Sequence, residues 1–253
     1  MITRVMKRAL RSLGVDARRY NPQSSESAKL ERLFTTYGVD CVFDVGANSG
    51  QYARGLRDMG FRGRIVSFEP LSDAHVLLVR NSRHDPKWVV PPAMALGDFT
   101  GETEIHVAGN LVSSSLRGMT ETHERAAPAS KYVGKEKIGI QTLDSVFPAY
   151  QADSARPFLK IDTQGYELQV LDGAEQCLDR FVGIQAEMSL SELYQGQTLL
   201  LDFVLRMRHE GFQLAGLFPG FADNRTGRLL QVDGVFLRQS ELVNPNETVG
   251  VRN

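Results

Sequence analysis

The sequence predicts an α/β protein of the doubly wound kind, and three observations carry that prediction. Short apolar runs without polar alternation, such as Cys41–Val45 and Phe158–Ile161, have the composition of strands buried on both faces. These runs alternate with segments of helical periodicity, the order expected when a parallel sheet is wound by crossover helices. Each of four core runs also carries a carboxylate near its C-terminal end, at Asp44, Glu69, Asp162 and Glu187, and ligands of open parallel sheets bind beyond those ends.

The bulk properties fit one soluble domain. At 253 residues the chain is long enough for a substantial core, and a net charge of −1 gives no general affinity for nucleic acid. The basic residues are unevenly placed, with Arg4, Lys7, Arg8, Arg11, Arg18 and Arg19 facing only Asp16 in the first twenty. The two cysteines, Cys41 and Cys177, sit in apolar contexts and read as buried thiols, and the chain has neither a CxxC nor a Cys/His cluster for zinc. There is no apolar run of membrane-spanning length and no secretory leader, so the expected compartment is the cytoplasm.

Taken in order, Ile2, Val5, Met6, Ala9, Leu10 and Leu13 recur at helical spacing with basic residues between them. Such a helix over residues 1–13 either lies on an anionic membrane surface as a peripheral contact or packs on protein. Residues 1–26 therefore read as helix and polar linker, 27–240 as the main domain and 241–253 as a tail. A helix follows over 27–37, then the strand 41–45, its small-residue turn and a helix over 51–59. The strand Arg64–Glu69 precedes a helix over 72–81. Trp88–Leu96 reads as a third strand, set toward an edge by Pro91 and Pro92.

From about 97 to 143 the pattern changes to a β-rich insertion. Thr103–Val107 alternates like an exposed strand, the serines at 113–115 suit a loop, Lys131–Lys137 is a charged run, and Ile138–Leu143 is a short strand. The parallel pattern resumes with the strand 157–162, a helix over 166–178, the strand 182–187 and a helix over 199–210. Two strands, 212–218 and 229–237, then follow without a helix between them and must pair antiparallel at one end of the sheet.

The turn after the first strand narrows the ligand. Gly46, Asn48 and Gly50 allow close backbone approach at a helix start. Counting from Gly46, Asn48 and Gln51 stand where a dinucleotide fingerprint needs glycine, and no Gly-Lys-Ser/Thr sequence is present. Glu69, about twenty residues on, suits the ribose hydroxyls of a nucleoside carrying little phosphate. S-adenosylmethionine fits, with its ribose on Glu69 and its amino-acid end near Asp44 and Gly46.

Val42-Phe43-Asp44-Val45-Gly46-Ala47-Asn48-Ser49-Gly50 with Phe68-Glu69-Pro70 resembles the cofactor motifs of class I S-adenosylmethionine-dependent methyltransferases. Ala95-Leu96-Gly97-Asp98 and Phe158-Leu159-Lys160-Ile161-Asp162-Thr163-Gln164-Gly165-Tyr166-Glu167 narrow the resemblance to the FkbM family, over about Val39 to Leu237. The resemblance implies a class I methyltransferase Rossmann-like fold, a mostly parallel seven-stranded sheet with a reversed last strand. It implies methyl transfer to a hydroxyl of a sugar, glycolipid or secondary metabolite. Asp44, Gly46, Asn48, Gly50, Glu69 and Asp98 are the matching cofactor positions. Asp162 and Glu187 face the transfer site by their place in the pattern.

Mechanistically, Asp162 could act as general base with Glu187 orienting the sugar, or the two could share a divalent metal; without a clear third ligand the metal-free form is preferred. Of the five histidines, His123 in the insertion is the alternative base. The expected partner is a small-molecule or glycolipid acceptor rather than nucleic acid. The rival readings are an RNA methyltransferase, which calls for a basic groove, and a nicotinamide-dependent oxidoreductase, which calls for the missing glycines.

Overall fold

The computed structural model describes residues 12–13, 25–151 and 154–243. All but the last two residues of the helix expected over 1–13, and most of the 241–253 tail, lie outside them. Among the described elements, helix α1 (Glu26–Thr36) comes first, its first turn capped by the Ser25 hydroxyl accepting from the Ala28 amide. Strand β1 (Cys41–Val45) leads into α2 (Gln51–Asp58), then β2 (Arg64–Phe68), α3 (Ser72–Ser82) and the short β3 (Trp88–Val89). An insertion follows, made of β4 (Ala95–Leu96), β5 (Gly101–Ala108), α4 (Glu121–Ala126) and β6 (Tyr132–Gln141). The main sheet resumes through α5 (Leu143–Tyr150), β7 (Pro157–Ile161), α6 (Glu167–Asp172), β8 (Gly183–Ser189) and α7 (Leu200–His209). It closes with β9 (Phe212–Pro219), the hairpin β10 (Ala222–Asp223) and β11 (Arg228–Leu229), β12 (Gln231–Arg238) and α8 (Gln239–Val243).

The seven-stranded sheet has the order β3-β2-β1-β7-β8-β12-β9. Strand β12 alone runs against its neighbours, pairing antiparallel with both β8 and β9. All other pairings in that sheet are parallel, so the expected class I methyltransferase sheet with its reversed last strand is the observed one. The central strands are buried along their whole length because helices cover both faces. One face packs Phe43, Leu159, Ile161 and Ile184 against α5, α6 and α7 through Phe147, Leu171 and Phe203. The other packs Val42, Ile65 and Phe158 against α1, α2 and α3 through Phe34, Leu56 and Leu78. Both cysteines are buried and free. Among the described residues no helix is long and apolar enough to cross a membrane.

Five expectations are corrected. The third strand is two: the chain leaves the main sheet after Val89 and joins a separate sheet at Ala95, because Pro91 and Pro92 have no amide to continue a ladder. The strand expected from Ile138 begins at Tyr132, so the charged run 131–137 forms most of β6, which pairs antiparallel with β5 and turns its charges outward. Lys135 meets Glu104 across that ladder at 3.4 Å. Leu143, expected to end a strand, instead begins α5, capped by Thr142. The helix after β7 stops at Asp172 instead of running to Leu178, and the tail begins as α8, held by Arg156 to Glu241 at 2.5 Å.

The C-terminal end of α6 is closely packed. A Cβ on Gly173 would lie 1.8 Å from the Gly97 carbonyl oxygen, so the end of α6 sits directly on the root of the insertion. Gly173→Ala should therefore cost about 3 kcal/mol or more in urea unfolding. Gly139→Ala, where a Cβ meets nothing within 4 Å, should stay within about 0.5 kcal/mol of the parent.

Candidate functional site

The turn after β1 is built by contacts rather than by flexibility. The amides of Gly46 and Ala47 both donate to the Phe68 carbonyl, at 3.1 and 3.0 Å, which fastens the turn to the end of β2. Gly46 has φ 77°, and a Cβ there would stand 1.9 Å from the Asp162 carbonyl oxygen. Only glycine lets the ends of β1 and β7 approach this closely. Gly50, at φ 85°, starts α2 against the Trp88 ring, which a Cβ would meet at 2.5 Å.

Glu69 is buried beside this turn. Its carboxylate accepts from the Asn48 amide at 2.8 Å and from the Leu71 amide at 2.9 Å. Burial pushes its pKa up to about 7 against those two bonds. It lines a cavity of about 550 Å³ with Gly46 and Asn48 on one side and the apolar Leu71, Met94 and Leu96 on another. The insertion contributes Ile105, Leu111, Val112 and Leu116 to the lining, which also includes Asp162, Lys160 and Asp233. That volume and a mostly apolar lining with a few polar anchors suit a nucleoside-sized ligand and a second small molecule.

Behind the cavity a row of polar side chains crosses the sheet. Strand register sets Asp44 beside Ser67 on one side and Lys160 on the other, with Gln185 next to Lys160. The Lys160 ammonium is 3.3 Å from Asp44 Oδ1 and 3.4 Å from Asp162 Oδ2, and lies over the Tyr52 ring, 5.3 Å from its centroid. Burial alone would lower the Lys160 pKa, but the Asp162 and Asp44 charges outweigh it and raise it. Ser67 donates to Asp44 Oδ2 at 3.1 Å and accepts from the Trp88 indole at 2.9 Å. The Tyr52 hydroxyl donates to Gln185 at 2.8 Å.

A second turn, 162–167, follows β7. The Glu167 carboxylate closes it by accepting from the Thr163 amide at 2.9 Å and the Gly165 amide at 3.1 Å. Gln164, held at φ 56°, donates through its amide to Asp162 Oδ1 at 2.7 Å and to Glu187 Oε2 at 2.8 Å.

Of the residues expected from sequence, the structure gathers Gly46, Asn48, Glu69 and Asp162 on the cavity wall. Gly50 lies just behind them, at the helix start. Four others are placed elsewhere, each for a physical reason. Asp44 has no exposed surface and serves as counter-ion to Lys160 rather than reaching a ligand. Glu187 stands behind Gln164, its Oε2 taken by that amide and by Gln231 at 2.6 Å, and burial, then Asp162, pushes its pKa well above the carboxylate range. His123 is buried in a satellite cluster, its ring edge-on to Tyr194 with centroids 5.0 Å apart, and burial lowers its pKa to about 4. Asp98 is exposed at the insertion's root and accepts from the Tyr166 hydroxyl at 3.1 Å.

Sequence reasoning missed Lys160, Tyr52, Gln185 and Asp233. Only Lys160 carried a signal, a charge set inside a fully apolar strand; the others needed the register. Asp233 is raised to about 6, by burial and then by Asp162. Among the described residues no group of three or more His, Cys, Asp or Glu side chains is arranged to hold a metal ion.

A family model described as the methyltransferase FkbM domain matches residues 44–214, well over half of the chain. Similar solved structures include an rRNA methylase from Streptococcus thermophilus, 11% identical over 88% of this chain and 99% of that one, with a TM-score of 0.44. They also include TrmK of M. capricolum, solved with S-adenosylhomocysteine, 5% identical over 85% and 68%, with a TM-score of 0.47. A ribosomal protein L11 methylase from Lactobacillus delbrueckii subsp. bulgaricus is 10% identical over 87% and 81%, with a TM-score of 0.43. These likenesses are too weak to carry an acceptor from one chain to another. No curated protein sequence matches this one.

The ion cluster makes one demand of its own. Lys160→Met should destabilise the protein by about 3–5 kcal/mol in urea melts, because it leaves Asp44 buried without its counter-ion. Adding Asp44→Asn should recover much of that loss, since the isolated charge is then gone.

Proposed function

Because the chain belongs to the FkbM methyltransferase domain family, whose methyl donor is S-adenosylmethionine, we propose that it methylates a hydroxyl of a neutral sugar, a glycolipid or a related secondary metabolite. The observation that carries this reading is Asp162. Its side chain is 34% exposed, lines the cavity, and projects from the strand end that the Gly46 turn touches. The donor binding residues fit as well: a buried carboxylate at Glu69 with acceptor capacity left beyond its two amides, a close-approach glycine at Gly46, and an apolar slot at Leu71, Met94 and Leu96.

When bound, S-adenosylmethionine supplies an electrophilic methyl group on a positively charged sulfur. Asp162 accepts the proton that the acceptor hydroxyl loses as its oxygen forms the new bond to carbon and the carbon–sulfur bond breaks. The products are the methyl ether, a neutral thioether and protonated Asp162, so charge and atoms balance. Gln164 and Lys160 hold the Asp162 carboxylate from two sides while this happens.

The cavity's charges support this acceptor class. Among the described lining residues Glu69, Asp162 and Asp233 are acidic, and the ammonium of Lys160 is already shared by two carboxylates. A phosphate would meet repulsion and no available cation among those described lining residues. The wall of Ile105, Leu111, Val112 and Leu116 offers contact to an apolar group attached to the sugar.

Labelled S-adenosylmethionine incubated with octyl glycosides, glucose 1-phosphate and unmodified tRNA tests this. Label should enter an octyl glycoside; incorporation into tRNA or the phosphate ester alone would overturn the reading. Asp162→Asn should lower kcat by about 10²–10³-fold, while calorimetry finds the S-adenosylmethionine Kd changed less than about threefold.

Glu69 adds a pH dependence. Ribose hydroxyls donate to the ionised carboxylate, so below pH 7 binding must first remove a proton. The Kd for S-adenosylmethionine should rise as pH falls through 7, approaching about tenfold per unit. Glu69→Gln should bind more weakly at pH 8 and lose that slope.

A further inference from the structure

We propose that Tyr194 is a positioning residue of the methyl-transfer site, acting through Gln164 to hold the Asp162 carboxylate and to lock it to the acceptor-facing loop 111–116. The proposal rests on the reading of Asp162 as the base. Tyr194 lies between β8 and α7 and has no exposed surface. Its side chain occupies the space beside Gly165, where a Cβ would meet Tyr194 Cβ at 2.8 Å. A phenylalanine ring would fill that space equally well, so packing alone does not account for the hydroxyl. A buried hydroxyl without a partner is unfavourable, and this one donates to Gln164 Oε1 at 2.6 Å, with the Ser113 carbonyl at 3.2 Å as a second acceptor.

That bond decides which way the glutamine amide faces. With its oxygen held by Tyr194, both amide hydrogens of Gln164 are directed at acceptors, Asp162 Oδ1 and Glu187 Oε2. Gln231 donates to the same Glu187 Oε2, so the Asp162 carboxylate ends a chain of hydrogen bonds with little freedom to turn. The same chain reaches the acceptor side. Ser115 Oγ donates to the Gln164 carbonyl at 2.7 Å, and the Tyr194 hydroxyl faces Ser113. Between and beside those serines, Leu111, Val112, Ser114 and Leu116 line the cavity. Tyr194 and Gln164 thus couple the loop that meets the acceptor to the carboxylate that takes its proton.

The test compares Tyr194→Phe, Gln164→Met and Ser115→Ala with the full chain, using octyl glycosides as acceptors and amide hydrogen exchange on the free protein. Tyr194→Phe should lower kcat by about tenfold, with the acceptor KM and the S-adenosylmethionine Kd within about twofold. Amides 113–116 and 165 should exchange faster together. Gln164→Met should lower kcat further, and Ser115→Ala should speed exchange in 113–116 with a smaller kinetic loss. A Tyr194→Phe kcat within twofold of the parent, or unchanged exchange, overturns the proposal. So does a lowered melting temperature with kcat, KM and Kd all affected alike, which marks a structural role. The exchange arm needs no acceptor, so it decides even if no octyl glycoside turns over. If Asp162→Asn retains turnover, the base reading has failed; if it is inactive while Tyr194→Phe is normal, only the positioning role has.

Discussion

The Lys160 ammonium sits between two carboxylates on a strand that is otherwise entirely apolar, and the geometry of the site depends on that arrangement. Removing an ammonium from water is unfavourable by several kcal/mol, and the penalty is offset only when partners are close and their own hydrogen bonds are satisfied. Here the partners are supplied by neighbouring strands in register, Asp44 from β1 directly opposite and Asp162 just past the end of β7. Ser67 and Trp88 extend the chain of bonds to β2 and β3. One polar row therefore spans half the sheet and fixes the relative register of four strands.

That constraint passes to the site through backbone contacts. Because β1 and β7 are locked side by side, the Gly46 turn meets the Asp162 carbonyl with no room for a side chain. The Gly46 turn and Asp162, the proposed base, are thus in direct backbone contact, so displacing one disturbs the other. Tight coupling of this kind is what proximity catalysis requires, since small displacements of a reacting group lose much of the gain. Trp88 adds a second tie: its indole bonds Ser67 while its ring packs where a Gly50 side chain would be. The start of α2 is thereby registered to the same polar row.

Much of this was legible in the sequence because local pattern and global position agree in a parallel sheet. Apolar runs ending in carboxylates placed Glu69 and Asp162 on the cavity wall, and the glycines at 46 and 50 announced left-handed turns. Misreadings arose where tertiary contacts decided. Asp44 follows the same pattern as Glu69, yet register pairs it with a buried lysine, and only the pairing reveals it as a counter-ion. The strand signal starts only at Ile138 and leaves out Lys131–Lys137, because such signals rest on a buried face, and this part of β6 is largely exposed. His123 was singled out by its residue type, but type says nothing about depth, and it lies beneath Tyr194 and Phe221. Tyr194 itself gave no signal, being one aromatic in an irregular segment.

The charges around the cavity also limit how the site can accelerate a reaction. Three acidic side chains with one committed cation favour a positively charged ligand, and Glu69 and Asp233, raised to about 7 and about 6, can both ionise further when such a ligand enters. That attraction acts on a charge which disappears as the methyl group leaves the sulfur. Interactions stronger in the ground state than in the transition state slow the chemical step instead of speeding it. The acidic lining therefore accounts for binding the donor and for releasing its discharged product, and not for the rate. On the proposed reading, the acceleration comes from groups whose interactions grow along the reaction: the Asp162 carboxylate, which would gain a proton, and the rigid turns that hold it. For a site of this charge, precision of placement counts for more than electrostatic pull, and the hydrogen-bonded chain behind Asp162 supplies that placement.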